Sequence, residues 1–242
     1  MLSMPSPSEP GDLPEALRPY PVHLTADPPR DLSRWLWLVK GVLILPHVLV
    51  LLVLWPAFVV LSLVALVAIV ATGRYPRGIF DVNVGILRWS WRVGYYSFSA
   101  LGTDVYPPFS LTDDPGYPAT LSVDYPERLS RGLALVKWWL LALPHFVVVG
   151  LLVGPQVQWQ DLDGTRFGAQ IGLIGILVLV AAVVLLIRGT YLRGVHDLVL
   201  GLNRWCYRVA GYASLMTDAY PPFRLDVGAE PTSASTTGPH GS

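Results

Sequence analysis

Apolar residues run in long blocks along this chain. The first block runs from Trp35 to about Thr72, and its only charge is Lys40. As one helix it would measure about 55 Å, too long for one crossing of a hydrocarbon core of about 30 Å. Trp55-Pro56 lies near its middle. Tryptophan favours the membrane interface and proline disfavours helix continuation. The pattern therefore predicts two helices, 35–55 and 57–73, joined by a tight turn. Two later blocks, 132–153 and 169–187, are separated outright by a polar loop from Gly154 to Gly168 that carries Gln156, Gln158, Asp161, Asp163 and Arg166. Four spans in two hairpins follow.

The chain is written twice. Tyr20-Pro21, Leu24, Asp27, Pro29 and Leu32-Ser33-Arg34 return as Tyr117-Pro118, Leu121, Asp124, Pro126 and Leu129-Ser130-Arg131. Both copies continue through Leu-Val-Lys, ending at Lys40 and Lys137, and Leu-Pro-His, ending at His47 and His145. Both close on Asp-x-Tyr-Pro-Pro-Phe, Asp104 to Phe109 and Asp218 to Phe223. Such self-similarity marks a duplicated unit related by a pseudo-two-fold axis. Repeat one covers 20–112 and repeat two 117–226. The flanks, 1–19 and 228–242, are rich in Pro, Ser, Thr and Gly and read as disordered tails. An even number of spans per copy keeps both copies in one orientation, with the axis along the membrane normal.

A third helical segment follows each hairpin, 78–100 and 194–215. Arg77, Asp81, Gly85, Arg88 and Arg92 recur at intervals of three and four, so they share one helical face. Ile79, Ile86, Trp89, Val93 and Tyr96 take the opposite face. Copy two repeats the stripe as Arg193, Asp197, Gly201, Arg204 and Arg208. These segments read as amphipathic helices lying in the interface, apolar face toward lipid or bundle. Short extended pieces open each copy (Tyr20 to Asp27, Tyr117 to Asp124) and close it (Phe109 to Leu111, Phe223 to Leu225). They predict a small cytoplasmic β-structure pairing the start of each copy with its end. The fold class is an all-α membrane protein: four transmembrane helices, two interfacial helices and short strands.

Composition supports a membrane class. Hydrophobic residues make up 52% of the chain and charged residues 14%, against about 25% charged in a soluble domain. The net charge of zero conceals an asymmetry. Arg30, Arg34, Lys40, Arg74, Arg77, Arg88 and Arg92, with their partners in copy two, fall on the terminal side; Arg166 alone falls opposite. The positive-inside rule then puts both termini in the cytoplasm of a bacterial cell membrane. The single cysteine, Cys206, excludes a disulfide framework. The first residues lack the basic and apolar regions of a signal peptide. The arginines are spread over membrane-bound helices, which argues against nucleic acid.

The Arg/Asp stripe is the sharpest chemical feature. Arg77, Asp81, Arg88 and Arg92, with Arg193, Asp197, Arg204 and Arg208, suit either interfacial anchoring or a site for a phosphate-bearing headgroup, which the guanidinium fork can bind bidentately. A partner-protein face is the third reading. Gly85 and Gly201 inside the stripe point to close approach of a neighbouring helix. His47 and His145, each after a proline within the first span, are intramembrane polar groups and so functional candidates. A neutral histidine bonded across the bundle explains them. A haem or metal held between the copies is the sharper alternative, with proton movement a third. Lys40 and Lys137 can snorkel to the interface, and the nine tryptophans read as an aromatic belt. No Walker loop, zinc motif or nucleophile elbow is present in the sequence, so a non-enzymatic role without a cofactor is expected.

The Leu-Pro-His, Arg-Gly-x-x-Asp (Arg77 to Asp81, Arg193 to Asp197), Arg-Trp-x-x-Arg and Asp-x-Tyr-Pro-Pro-Phe motifs resemble an uncharacterised bacterial integral-membrane family, known as a domain of unknown function. The resemblance spans about 20–226 and brings no activity or catalytic residues. The copies depart from each other where Phe80 corresponds to His196 and Pro76 to Leu192. The expected function is binding of anionic lipid or a partner membrane protein through the cytoplasmic Arg-rich face. The alternatives are a haem-binding redox protein using His47 and His145, or a small transporter.

Overall fold

A computed structural model of the chain describes residues 20–29, 32–154, 156–160, 166–170, 172–222 and 225. The two tails, Arg30, Asp161, Asp163, Phe223 and the side chains of Trp138, Trp139, Trp159 and Arg166 lie outside the described residues. The fold is mostly helical. In chain order come β1 (Val22–Ala26), α1 (Leu36–Leu43), α2 (Leu45–Thr72), α3 (Arg77–Tyr96), β2 (Ala119–Val123), α4 (Arg131–Val136), a π-helical turn (Lys137–Leu141), α5 (Leu143–Val153), β3 (Gln156–Gln160), β4 (Arg166–Gln170), α6 (Leu173–Arg188) and α7 (Arg193–Ala213).

The expected turn at Trp55-Pro56 is not formed. Helix α2 continues through Pro56 for 28 residues, and the chain breaks earlier, at Ile44. Proline removes one i→i−4 bond, and a long apolar helix tolerates that loss when its remaining bonds hold. Among the described residues α2 is the helix long and apolar enough to cross a membrane; α5 and α6 are apolar but shorter. The copies explain the difference. His47 and His145 are 98 residues apart, while Asp81 and Asp197 are 116 apart, so copy two has 18 extra residues. They fall at the position of Pro56, between α5 and α6. The expected polar loop there includes a β-hairpin, with Gln156 paired to Gln170 and Gln160 to Arg166. A smaller insertion has a structural trace too. Lys40 and Lys137 are 97 apart, one fewer than the histidines. The extra residue is absorbed as the π turn, closed by Ala142 N–H donating to Lys137 C=O at 2.8 Å.

The strand expectation is also corrected. β1 pairs with β2, the opening segment of one copy with that of the other, antiparallel from Val22↔Val123 to Ala26↔Ala119. The closing segment Phe109 to Leu111 is not a strand. Pro107 and Pro108 have no N–H to give to a ladder. Leu24 pairs with Leu121, its own counterpart in the repeat, so the pseudo-two-fold axis runs through this pair.

Helices α3 and α7 are core elements, their apolar faces turned to the bundle. Phe80, Val84, Leu87, Trp91 and Tyr95 of α3 and Val199, Leu202, Trp205 and Val209 of α7 are buried in one cluster with Ala65 and Ile69 of α2. The same cluster takes in Val178, Ala182 and Leu185 of α6, so the two copies share one core. Trp89, Trp91 and Trp205 belong to this interior, whereas Trp35 and Trp55 are exposed. The outer surface is inverted relative to a water-soluble domain. Leu49, Leu52, Val53, Val60 and Val67 of α2 are exposed, as are Phe146 and Leu151 of α5 and Ile176, Leu179 and Ile187 of α6. A contiguous exposed apolar belt of this extent marks an interaction surface.

Candidate functional site at the seam between the copies

The stripe arginines act at the seam. The hydrogen bonds Asp27 N–H to Pro118 C=O and Asp124 N–H to Pro21 C=O fix which residues exchange bonds across the sheet. By alternation the backbone C=O groups of Leu24 and Leu121 point away from the partner strand, toward the sheet edges. Arg88 Nε donates to Leu121 C=O at 2.9 Å, and Arg204 Nε donates to Leu24 C=O at 2.9 Å. Each helix therefore satisfies the strand that belongs to the other copy. Arg88 Nη1 also donates to Leu111 C=O, and Arg92 donates to Ser110 and Thr112 C=O. Arg92, Arg204 and Arg208 are buried, and the Arg208 guanidinium lies over the Tyr20 ring. Gly85 is where a close approach is required, but its neighbour is the closing segment. A Cβ there would come within 2.8 Å of Leu111 Cβ.

The crossing extends to the helix ends. Gly73 and Gly189 close α2 and α6 in the left-handed conformation, φ 73° and 70°. The Arg131 guanidinium of copy two lies against Gly73, and the Arg34 guanidinium of copy one lies against Gly189. A cation at a helix C-terminus complements the dipole. Tyr20 Oη donates to Ala219 C=O and Tyr117 Oη to Val105 C=O, again each to the other copy. Burial pushes both phenols above their ordinary values.

The closing motif folds back on its own copy. Lys40 and Lys137 are 1% and 0% exposed and do not snorkel. Lys40 Nζ bonds Asp104 Oδ1 at 2.8 Å and Thr103 C=O at 2.7 Å; Lys137 Nζ bonds Asp218 Oδ1 at 2.8 Å and Thr217 C=O at 2.9 Å. The second carboxylate oxygens accept the Ser33 and Ser130 backbone N–H groups at 2.6 and 2.7 Å. Motif residues Tyr106 and Phe109 then enclose His47, whose ring stacks on Phe109 at 3.9 Å.

The family described as Domain of unknown function (DUF4389) matches residues 34–110 and 169–224, together more than half of the chain. The chain belongs to this family. No curated protein and no solved structure matches it. The first DUF4389 segment holds Lys40, His47, Arg88 and Asp104. The second holds Arg193, Asp197, Arg204, Arg208 and Asp218, while Lys137 and His145 fall outside it.

Within the DUF4389 fold the two histidines occupy separate sites. Both are fully buried. His47 lies among Trp89, Tyr106 and Phe109, all of copy one, and His145 among Trp205 and Tyr220 of copy two. Trp89 Nε1–H donates to His47 Nδ1 at 3.0 Å. A neutral imidazole that accepts at Nδ1 carries its proton on Nε2, and a protonated nitrogen is not a ligand. The geometry thus favours a structural His47 over a haem or metal ligand. Among the described residues no group of three or more His, Cys, Asp and Glu could hold a metal ion.

The outer members of the stripe make no hydrogen bond to the strands of the seam. Arg77 is exposed with its guanidinium 4.1 Å over the Tyr125 ring, Arg193 and Asp81 are exposed, and Asp197 is half-buried beside His196. Arg74, Arg128 and Arg188 are exposed as well. Spacing alone could not separate these from the interior arginines, because all fall on one helical face or at helix ends.

Proposed function

We propose that this DUF4389 protein is a multi-pass protein of the bacterial cell membrane that binds anionic lipid headgroups at a cytoplasmic arginine rim and has no catalytic activity. In this reading α1–α2, α4–α5 and α6 lie in the bilayer, and the sheet and the starts of α3 and α7 face the cytoplasm. One observation carries it. The exposed arginines Arg74, Arg77, Arg128, Arg188 and Arg193 gather near Gly73 and Gly189, where the exposed apolar helices α2 and α6 end. Cations at that level meet phosphate-bearing headgroups, each contributing about 1 kcal/mol near an anionic surface. Arg88, Arg92, Arg204 and Arg208, spent on the seam, hold the rim in shape without touching lipid.

The test is lipid selection. The full chain, reconstituted in mixed phosphatidylglycerol and phosphatidylcholine vesicles and extracted in mild detergent, is weighed by native mass spectrometry. Wild type should retain phosphatidylglycerol preferentially. Replacing Arg74, Arg77, Arg188 and Arg193 by Gln should abolish the preference and leave the melting temperature near wild type. An unchanged preference would remove the rim from the explanation. A co-retained protein mass in native-membrane extracts would point to the partner-protein reading instead.

A further inference from the structure

A cavity of about 480 Å³ opens at the seam between α2, α5, α6 and α7. Trp55, Val149, Ile174 and Tyr207 supply much of its wall. A neighbouring cavity of about 300 Å³ shares Phe98 and Gly175 with it and continues along α6 to Val178 and Ala182. Each lies within the size range of ligand pockets.

From this space we infer that the protein holds one hydrocarbon chain of a membrane lipid at the seam. The walls carry no charged side chain. Trp37 Nε1–H in the smaller cavity is buried without a hydrogen-bond partner among the described residues, and the other polar groups of the walls are neutral. Asn203 Nδ2 donates to Ser99 C=O at 3.0 Å and to Val199 C=O at 2.9 Å. The Cys206 thiol, pushed up to about 12 by burial, stays neutral and packs as a small hydrophobe. An ionic ligand would find no counter-charge to offset its desolvation. An apolar chain loses nothing there and fills space that would otherwise lack packing partners.

The mouth is continuous with the exposed apolar belt, since Trp55 and Phe98 at the wall are themselves exposed, as are Leu173, Ile176 and Leu179 on α6. What lies at such a mouth in a bilayer is acyl chain, so the inference rests on the membrane placement proposed above. The space also breaks the repeat. Asp81 and Asp197 are 116 apart but Asp104 and Asp218 are 114 apart, so copy one has two extra residues in the intervening turn that carries Phe98 and Ser99. Gly175 stands where copy one has Val59, and Asn203 where it has Leu87.

The experiment uses the full chain in vesicles containing phosphatidylcholine with a photoactivatable diazirine in its acyl chain. After illumination, adducts are mapped by mass spectrometry. Wild type should carry adducts on Cys206 and Tyr207 in addition to those on the outer face of α2, at Leu49 and Val53. Gly175→Val and, from the opposite wall, Ala210→Leu should each lose the Cys206 and Tyr207 adducts and keep those on α2. Persistence of cavity adducts in both variants, or their absence from wild type while α2 is labelled, overturns the inference. Absence of label from α2 as well overturns the membrane placement itself, and the inference with it.

Discussion

Lys40 and Asp104, 64 positions apart in the chain, meet at 2.8 Å, and the same contact recurs between Lys137 and Asp218. The lysine is wholly buried and the carboxylate about one-quarter exposed. Water therefore screens the aspartate better than the lysine.

That asymmetry predicts unequal single mutants. Asp104→Asn strands a buried ammonium and should cost about 3 kcal/mol, near the lower end for breaking a buried pair. Lys40→Met leaves a carboxylate that water can reach, and should cost less. The double variant should fall well short of the summed losses, because the two groups are coupled. Thermal unfolding in detergent measures all three. Equal losses for the two single variants, or strict additivity, would contradict the geometry.

Arg204 serves a strand of the other copy, which separates its loss from that of an ordinary helix residue. Arg204→Ala leaves Leu24 C=O without its 2.9 Å donor and should cost about 1–3 kcal/mol. Hydrogen exchange should quicken in β1 and β2, far from the substitution in sequence. Exchange altered only within α7 would show that the crossed contact carries no weight.

Repetition was readable in the sequence, and with it the helical character of most segments. What repetition cannot reveal is which copy a segment packs on. Leu24 could pair within its own repeat or across to Leu121, and both choices satisfy the same pattern. The interior role of Arg92 and Arg208 was hidden for a related reason: a charged stripe looks alike whether it meets headgroups or backbone carbonyls. The Lys–Asp contacts did leave a trace. Each buried lysine is matched by the one aspartate of its copy's closing motif, and both recur together. Their separation along the chain concealed it.

The 35–72 block, too long for one crossing, and its Trp55-Pro56 point to a turn there; the structure places the break at Ile44 and carries α2 through Pro56. Pro56→Ala then restores a missing N–H donor to the Leu52 carbonyl. The expected result is a gain in stability of up to about 3 kcal/mol. A proline needed for a turn would give the opposite sign, so a fall in melting temperature would restore the hairpin reading for copy one.

His196 replaces the Phe80 of copy one and makes the seam sensitive to pH. It is buried, with Nε2 3.3 Å from Tyr95 Oη and Nδ1 3.4 Å from Asp197 Oδ1, and the Tyr191 ring beside it. Burial holds its pKa below the ordinary 6.5, the effect of Asp197 notwithstanding, and Arg204 adds to the depression. In the unfolded chain the imidazole takes up its proton near 6.5, whereas in the fold it resists. Stability from this group is therefore intact above that pH and declines as pH falls through it toward the lower folded value. The melting temperature should drop between pH 7.5 and pH 5.5 in wild type. His196→Phe, the residue copy one already uses, should reduce that dependence by the share His196 carries, the other buried histidines His47 and His145 remaining, while leaving the melting temperature at pH 7.5 close to wild type. An equally steep decline in the variant would assign the pH sensitivity to other groups.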